Sequence, residues 1–262
     1  MILLKYEWRM NWKSLLIWVV CVGISCGACI LLFESVAEGM ADMAKTFAGL
    51  GGFAAAFGMD KVSIATISGF YAAEISIIFS VGGAMFAAMT GALLLSKEEE
   101  GHTAEFLHTL PIGRGYIYGW KYVALLTMIV LFNVLCIGID GICLACIGEE
   151  IALKEYGLYH VMSFLMQVEI GSICFLISAV SKRKQLGLAL GLAVLLYMMD
   201  IMLHIVPDLE GLKYVTPYYY ANAADIFSSG ELSAMAAGIG LGVCVLSVGI
   251  GGIVYVRRDI AA

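Results

Sequence analysis

The sequence predicts an all-α integral membrane protein that forms one domain of six transmembrane helices over residues 1–262. Apolar residues make up 61% of the chain and charged residues only 14%, whereas soluble domains carry roughly 25% charged residues. The apolar residues fall into six runs, each near the roughly 20 residues that a helix needs to cross a bilayer. Basic residues are concentrated in alternate connections, which is typical of multispan proteins.

The six predicted spans cover residues 15–33, 71–95, 120–147, 159–180, 186–206 and 234–256. Residues 1–13 predict an amphipathic interfacial helix, because Trp8 and Trp12 recur one turn apart among lysine and arginine residues and can lie at the lipid headgroups. A secretory signal peptide is the alternative, but the first apolar run is long for one and no processing site is evident. The connection 34–70 has an apolar helical pattern and predicts helices lying over the outer membrane face.

The distribution of lysine and arginine predicts the orientation. If both termini are cytoplasmic, 11 of the 15 basic residues fall on the cytoplasmic side. These are Lys5, Arg9, Lys13, Lys97, Arg114, Lys121, Lys182, Arg183, Lys184, Arg257 and Arg258. Because cytoplasmic connections are enriched in these residues, we expect both termini and the segment 97–114 on the cytoplasmic side.

The segment 97–114 is the most polar stretch between two apolar runs, and it predicts a short helix. Apolar side chains recur at i, i+3, i+4 and i+7 from Thr103, a plausible N-cap, and Pro111 ends the helix. A helix of roughly two turns is not stable alone in water. We therefore expect it to be held between the membrane domain and a partner protein. The candidate coupling residues are Glu98, Glu99, Glu100, Gly101, Thr103, Glu105, Phe106, Leu107, Leu110, Pro111 and Arg114.

Acidic and amide side chains inside the predicted spans are candidates for a substrate cavity. These residues are Glu74, Asp140, Gln167, Glu169 and Asp200. Charge at membrane depth is costly, so such side chains face the bundle interior or a water-filled cavity. An acidic cavity that favours cationic groups is one interpretation. The other is local neutralisation, for instance of Asp200 by His204 one turn later.

Several other patterns exclude functions or point to packing. The sequence contains no P-loop, His-Glu-x-x-His or Gly-x-Ser-x-Gly motif and no basic patch interleaved with aromatics. We therefore expect no catalytic residue, no metal site and no nucleic-acid partner. The eight cysteines lie in apolar runs and predict buried packing; Cys143-x-x-Cys146 has the spacing of a redox or metal site but lacks a second ligand pair nearby. The aromatic stretch 214–220 predicts an interfacial belt or, alternatively, substrate contact.

Small residues four apart occur in four predicted spans and allow close helix packing. We favour packing inside the bundle over a seam between two copies. The pairs are Gly23 with Gly27, Gly83 with Ala87 and Gly91, Gly187 with Gly191, and Gly238 with Gly242.

Taken together, these features resemble the permease subunit of an ABC-2 type exporter along nearly the whole chain. The resemblance rests on the basic N-terminal stretch, Phe57-Gly-Met-Asp60, the motif from Glu98 to Pro111 with Arg114, Thr216-Pro217, and Val256-Arg-Arg-Asp-Ile260. It implies a bacterial plasma-membrane protein without an ATPase domain, working as two copies with two separate ATPase subunits. ATP and magnesium then bind the partner, not this chain. The segment from Glu98 to Pro111 corresponds to the coupling helix, and the ATPase is expected to pull on its apolar stripe and on the acids at 98–100.

The resemblance implies export of an amphipathic peptide or a hydrophobic small molecule. Similar permeases export peptides such as phenol-soluble modulins or lantibiotics, drugs, or sodium. An ion-coupled secondary transporter that uses Glu169 and Asp200 is one alternative, although the sequence lacks the inverted half-repeat common in that class. A non-transporting membrane scaffold is another.

Overall fold

A computed structural model describes residues 2–48, 51–101 and 112–258, and every regular element within these residues is helical. In chain order the elements are α1 (Ile2–Ala48), α2 (Gly52–Ala56), α3 (Ile67–Phe70), a π-helical turn (Tyr71–Ile75), α4 (Ser76–Leu93), α5 (Ser96–Glu100), α6 (Arg114–Ile147), α7 (Leu153–Val180), α8 (Leu186–Ile205), a 3-10 turn (Pro207–Leu212), α9 (Ala223–Ser229) and α10 (Ala234–Arg257).

Six of the helical stretches in the described part of the chain are long and apolar enough to cross a membrane. They are Leu3–Ala37, Ile67–Leu93, Arg114–Ile147, Leu153–Val180, Leu186–Ile205 and Ala234–Arg257. The predicted all-α class with six spans is confirmed. The helices are longer than the apolar runs at several ends, because polar residues that flank a span continue the backbone hydrogen bonding of the helix.

The N-terminal region differs from the prediction of an interfacial helix followed by a separate span. Helix α1 continues without interruption through both, since no proline interrupts it and its first glycine is Gly23. Its N-terminal part packs along α6, where the Trp8 indole N–H donates to Thr127 Oγ1 at 3.1 Å. Helix α1 also takes in the first part of the connection 34–70. Of the helices predicted there, the described structure contains that extension, the short α2 and the start of the second span.

The bundle is organised around α7, with α4 and α10 packed along it, while α1 packs along α6 and α8 along α4. Two close approaches explain the tight packing. A side chain at Gly91 of α4 would overlap the backbone carbonyl of Gly171 in α7, and Gly23 and Gly27 of α1 lie against side chains of α6. These pairs pack inside the bundle, as predicted. The two other pairs differ, because a Cβ added at any of their glycines meets no described atom within 4 Å. These glycines are Gly187 and Gly191 of α8 and Gly238 and Gly242 of α10.

The two ends of the bundle contain different elements. The terminal end is defined by the first turns of α1, α5, the start of α6, the 181–185 connection and the end of α10. The loop end is defined by α2, the start of α3, the 148–152 connection and residues 206–233. Near the loop end the π-helical turn sets Tyr71 fully into the core. Turns of this kind are found mostly at functional positions of helices.

Candidate functional site

A buried ion cluster at the terminal end ties three elements together. Lys121 of α6 is fully buried, and its Nζ donates to Glu7 Oε1 at 2.7 Å, to Glu98 Oε1 at 2.5 Å and to the Leu94 carbonyl at 2.7 Å. Lys97 Nζ donates to the other oxygen of Glu7 at 2.5 Å. We call Glu7, Lys97, Glu98 and Lys121 the Lys121 cluster.

The Lys121 cluster satisfies the requirements of buried charge. Two lysines face two glutamates, so the formal charges cancel, and all three N–H groups of Lys121 have acceptors. A buried charge is tolerated when it is both paired and hydrogen-bonded. The cluster therefore fixes α5 to α1 and α6 at the point from which the chain enters residues 102–111.

A second set of contacts ties α5 to the other helices at this end. Glu99 forms an ion pair with Arg258, whose Nη1 donates to the Ser181 carbonyl at 3.2 Å. Arg114 Nη1 in turn donates to the Arg258 carbonyl at 2.8 Å. Helix α5 is thus connected to the start of α6 and to the ends of α7 and α10.

The start and the end of α5 are also anchored. Ser178 Oγ of α7 accepts from the backbone N–H groups of Leu95 at 3.1 Å and Ser96 at 3.0 Å, which satisfies donors at the helix start. At the other end, the Lys184 backbone N–H donates to Glu100 at 2.6 Å and holds the pKa of that carboxyl below its ordinary value. Every turn of α5 is therefore bonded to a membrane helix or to the 181–185 connection.

The sequence-predicted coupling residues divide into two groups. Thr103, Glu105, Phe106, Leu107, Leu110 and Pro111 lie outside the described residues. Glu98, Glu99, Glu100, Gly101 and Arg114 lie at the charged anchor described above. Of the three glutamates that a partner is expected to pull on, Glu98 and Glu99 are buried and paired within the chain, and Glu100 is exposed. Their contact with a partner stays a prediction.

Sequence reasoning missed three members of this site. From the sequence, Lys121 is interpreted as a cytoplasmic charge and Arg258 as a cytoplasmic charge and part of a family motif, and no role is assigned to Glu7. A signal was present for Glu7, which is the one acidic residue among the basic residues of 1–13. Its partner Lys121 is 114 positions away, so no local pattern connects the two.

The sequence model of the family described as ABC-2 family transporter protein matches residues 1–260. The chain belongs to the ABC-2 transporter family. It is a multi-pass membrane permease of the ABC class and not itself the catalytic subunit, and members of the family normally work with an ATPase subunit. No protein of curated function matches the chain.

The intramembrane polar residues of this ABC-2 protein are hydrogen-bonded in separate groups. Tyr71 donates to Asp140 Oδ2 at 2.9 Å and lies 3.1 Å from His160 Nε2, joining the second, third and fourth spans. Asn133 donates to Gln167 Oε1 at 2.6 Å between the third and fourth spans. Both groups are buried, so they act first as polar contacts between helices.

The other three predicted cavity residues lie in different surroundings. Tyr220 donates to Glu169 Oε2 at 2.7 Å, which joins the loop before the sixth span to α7. Asp200 lies 3.8 Å from His204 Nδ1, the neighbour that the sequence suggested. Glu74 is exposed on the π-helical turn. No hydrogen bond or ion pair among the described residues joins any two of the five predicted cavity residues, and a shared acidic cavity stays a prediction.

Gly240 of α10 leaves the space in which Tyr220 and Glu169 meet. A Cβ at this position would overlap Glu169 Oε2 and lie 3.0 Å from the Tyr220 hydroxyl. We expect Gly240→Ala to break this buried hydrogen bond and to cost about 1 to 3 kcal/mol of stability. Thermal unfolding of the purified protein in detergent measures the effect.

Gly242→Ala is the matched control, since a Cβ there meets no described atom within 4 Å and alanine favours helix over glycine. Its melting temperature is expected to equal or exceed that of the unaltered chain. Equal melting temperatures for the two variants would show that α10 does not approach Glu169 closely.

Proposed function

We propose that the chain is the membrane-spanning permease subunit of an ATP-driven exporter that moves an amphipathic peptide or a hydrophobic small molecule out of the cell. A separate ATPase subunit binds the segment 97–114, and two copies of the permease form the transport unit. The family supports the permease and its ATPase partner. The anchoring of α5 is the observation that carries the coupling role.

The coupling argument follows from how α5 is held. Residues 102–111 leave α5 directly, and α5 is bonded to α1 and α6 through the Lys121 cluster and to α7 and α10 through Ser178 and Arg258. A displacement of residues 102–111 by a partner therefore acts on several spans together. Because packed helices move as rigid bodies, such a displacement favours one bundle arrangement over another.

The positive charge of the terminal end supports the proposed orientation in the membrane. The terminal end contains most of the lysine and arginine residues outside the spans, and cytoplasmic connections are enriched in these residues. We therefore place the terminal end, both chain termini and the ATPase in the cytoplasm of the cell.

The cargo pathway is proposed to lie between two copies of the chain. Within one chain, the buried acids Asp140 and Glu169 are already hydrogen-bonded to tyrosines. The outward faces of α8 and α10 are apolar and rich in small residues. A surface of this kind suits the apolar face of an amphipathic peptide or a lipophilic drug better than a hydrophilic solute.

The coupling role is tested with Leu107→Asp in proteoliposomes that contain the permease and the P-loop ATPase that co-purifies with it. Leu107 belongs to the predicted apolar stripe, and a carboxylate there should prevent docking in an apolar groove. We expect loss of ATP-dependent cargo export with the membrane domain still folded.

Leu212→Asp, the same change at an exposed position of the loop end, is the control and should leave export unchanged. Normal assembly and export by Leu107→Asp would refute the coupling role. Export by the isolated chain under an ion gradient, without any ATPase, would instead support the ion-coupled alternative.

A further inference from the structure

A small polar cavity lies at the loop end, away from the α5 anchor. It is bounded by α4 and the π-helical turn, by α8, and by residues 218–224, and it is covered by Ala56 and Phe57. Asp200 of α8 is the one carboxylate that lines it. The cavity is therefore a separate feature from the coupling site and from the contacts of Asp140 and Glu169.

Asp200 is buried and incompletely bonded. Its Oδ2 accepts from Asn222 Nδ2 at 3.5 Å, whereas its Oδ1 has no hydrogen-bond partner among the described residues. The hydroxyl of Tyr218, which lines the same cavity and is also buried, likewise has no partner in the described part of the chain. Buried polar atoms in folded proteins are normally hydrogen-bonded, so both atoms are available to a group that enters the cavity.

The neighbouring histidine does not supply a hydrogen-bonded counter-ion. His204 Nδ1 lies 2.8 Å from the backbone carbonyl of Asp200 and therefore donates to that oxygen, while it is 3.8 Å from the carboxylate. His204 Nε2 faces Asp225, which also forms an ion pair with Lys61. Burial alone raises the pKa of Asp225, but the neighbouring His204 and Lys61 outweigh it and hold that pKa below its ordinary value. His204 and Lys61 are thus shared with a second carboxylate.

Ser80 of α4 contributes a further hydrogen-bond acceptor to the cavity. Tyr159 donates to the Ser76 carbonyl at 2.9 Å, so the 2.8 Å contact between Ser80 and Tyr159 has Ser80 as the donor. Ser80 Oγ therefore keeps its lone pairs for the cavity. Together with Asp200 Oδ1 and the oxygen of Tyr218, it forms a set of acceptors around one negative charge.

A ligand that matches this set carries several N–H donors and one positive charge. We propose that the cavity binds a primary ammonium group, with Asp200 as its counter-ion. Water satisfies the acceptors but supplies no charge, and calcium prefers six to eight oxygen ligands with several carboxylates. The aromatic rings of Phe57 and Tyr197 in the cavity wall also suit an organic cation. This site is a property of the single chain and does not depend on the export function.

The proposal is tested by equilibrium dialysis of radiolabelled methylammonium against the purified full-length chain in a non-ionic detergent and an amine-free buffer. We expect saturable binding of one methylammonium per chain. Asp200→Asn removes the counter-ion charge but keeps the side-chain shape, and it should weaken binding at least tenfold while the protein stays folded by thermal unfolding.

Asp208→Asn is the control, because Asp208 is an exposed carboxylate in the nearby 3-10 turn, and its binding should match that of the unaltered chain. Tyr218→Phe provides a second variant and is expected to weaken binding without altering the charge. No saturable binding to the folded chain, or equal binding by Asp200→Asn, would overturn the proposal. If sodium displaced the bound radiolabel as efficiently as unlabelled methylammonium does, the preference for ammonium would be overturned.

Discussion

Lys121→Met is expected to produce the largest loss of stability of any single charge substitution at the terminal end. Methionine fills much of the volume of the lysine stem but removes the charge and all three donated hydrogen bonds. Glu7 and Glu98 are then left as buried carboxylates without the cation between them. Breaking a buried ion pair by removing one partner costs about 3 to 5 kcal/mol.

The measurement is thermal unfolding of the purified variant, with the yield of folded protein as a second readout. Lys182→Met removes an exposed lysine at the same end and should leave the melting temperature unchanged. Replacing Glu7 and Glu98 by glutamine together with Lys121→Met should recover part of the loss, because no buried carboxylate is then left without its cation, and the one unpaired charge of the cluster is that of the half-buried Lys97. A melting temperature for Lys121→Met equal to that of Lys182→Met would show that the cluster does not hold α5.

The triple variant also separates stability from coupling. If it folds, its spans are intact but α5 is no longer bonded to α1 and α6 through charges. In proteoliposomes with the ATPase, we expect ATP hydrolysis to continue while export falls, since the force on residues 102–111 is then transmitted less directly. Full export by a folded triple variant would assign coupling to the Ser178 and Arg258 contacts instead.

The sequence predicts the number and class of spans well because that information is local. Apolar runs of sufficient length identify each helix, and the glycine pairs Gly23 with Gly27 and Gly83 with Gly91 identify close packing inside the bundle. Residues 2–13 and the first predicted span form one continuous helix, because a change from amphipathic to apolar composition does not interrupt backbone hydrogen bonding. A helix ends where a glycine, a proline or a cap ends it.

The candidate site is less predictable because its contacts are not local. Glu7 and Lys121 meet only after α1 has packed along α6, and periodicity within one helix carries no information about that meeting. The contacts of the intramembrane acids are hard to predict for the same reason. Their position inside the predicted spans suggests a shared cavity, whereas Asp140 and Glu169 are hydrogen-bonded to tyrosines and Asp200 to an asparagine, all of them distant in sequence.

Gly91→Val is the second substitution with a large expected effect. A Cβ at Gly91 would overlap the Gly171 carbonyl oxygen and lie 3.1 Å from the Phe175 backbone nitrogen. Both neighbours are backbone atoms of α7 and cannot rotate aside as a side chain can. The helices α4 and α7 must therefore move apart, and overpacking of this kind costs about 1 to 3 kcal/mol and occasionally more.

Gly191→Val introduces the same β-branched side chain into α8, where an added Cβ has no described atom within 4 Å. Since the intrinsic helix penalty of valine is shared by both variants, the difference between their melting temperatures isolates the clash. We expect a clearly lower melting temperature for Gly91→Val. Because α4 leads directly into α5, separation of α4 from α7 should also weaken the hydrogen bonds that Ser178 accepts from Leu95 and Ser96. We therefore expect export by Gly91→Val to fall even at temperatures where the variant is folded. Equal melting temperatures and equal export for the two variants would show that α4 and α7 are not in close backbone contact at this level of the bundle.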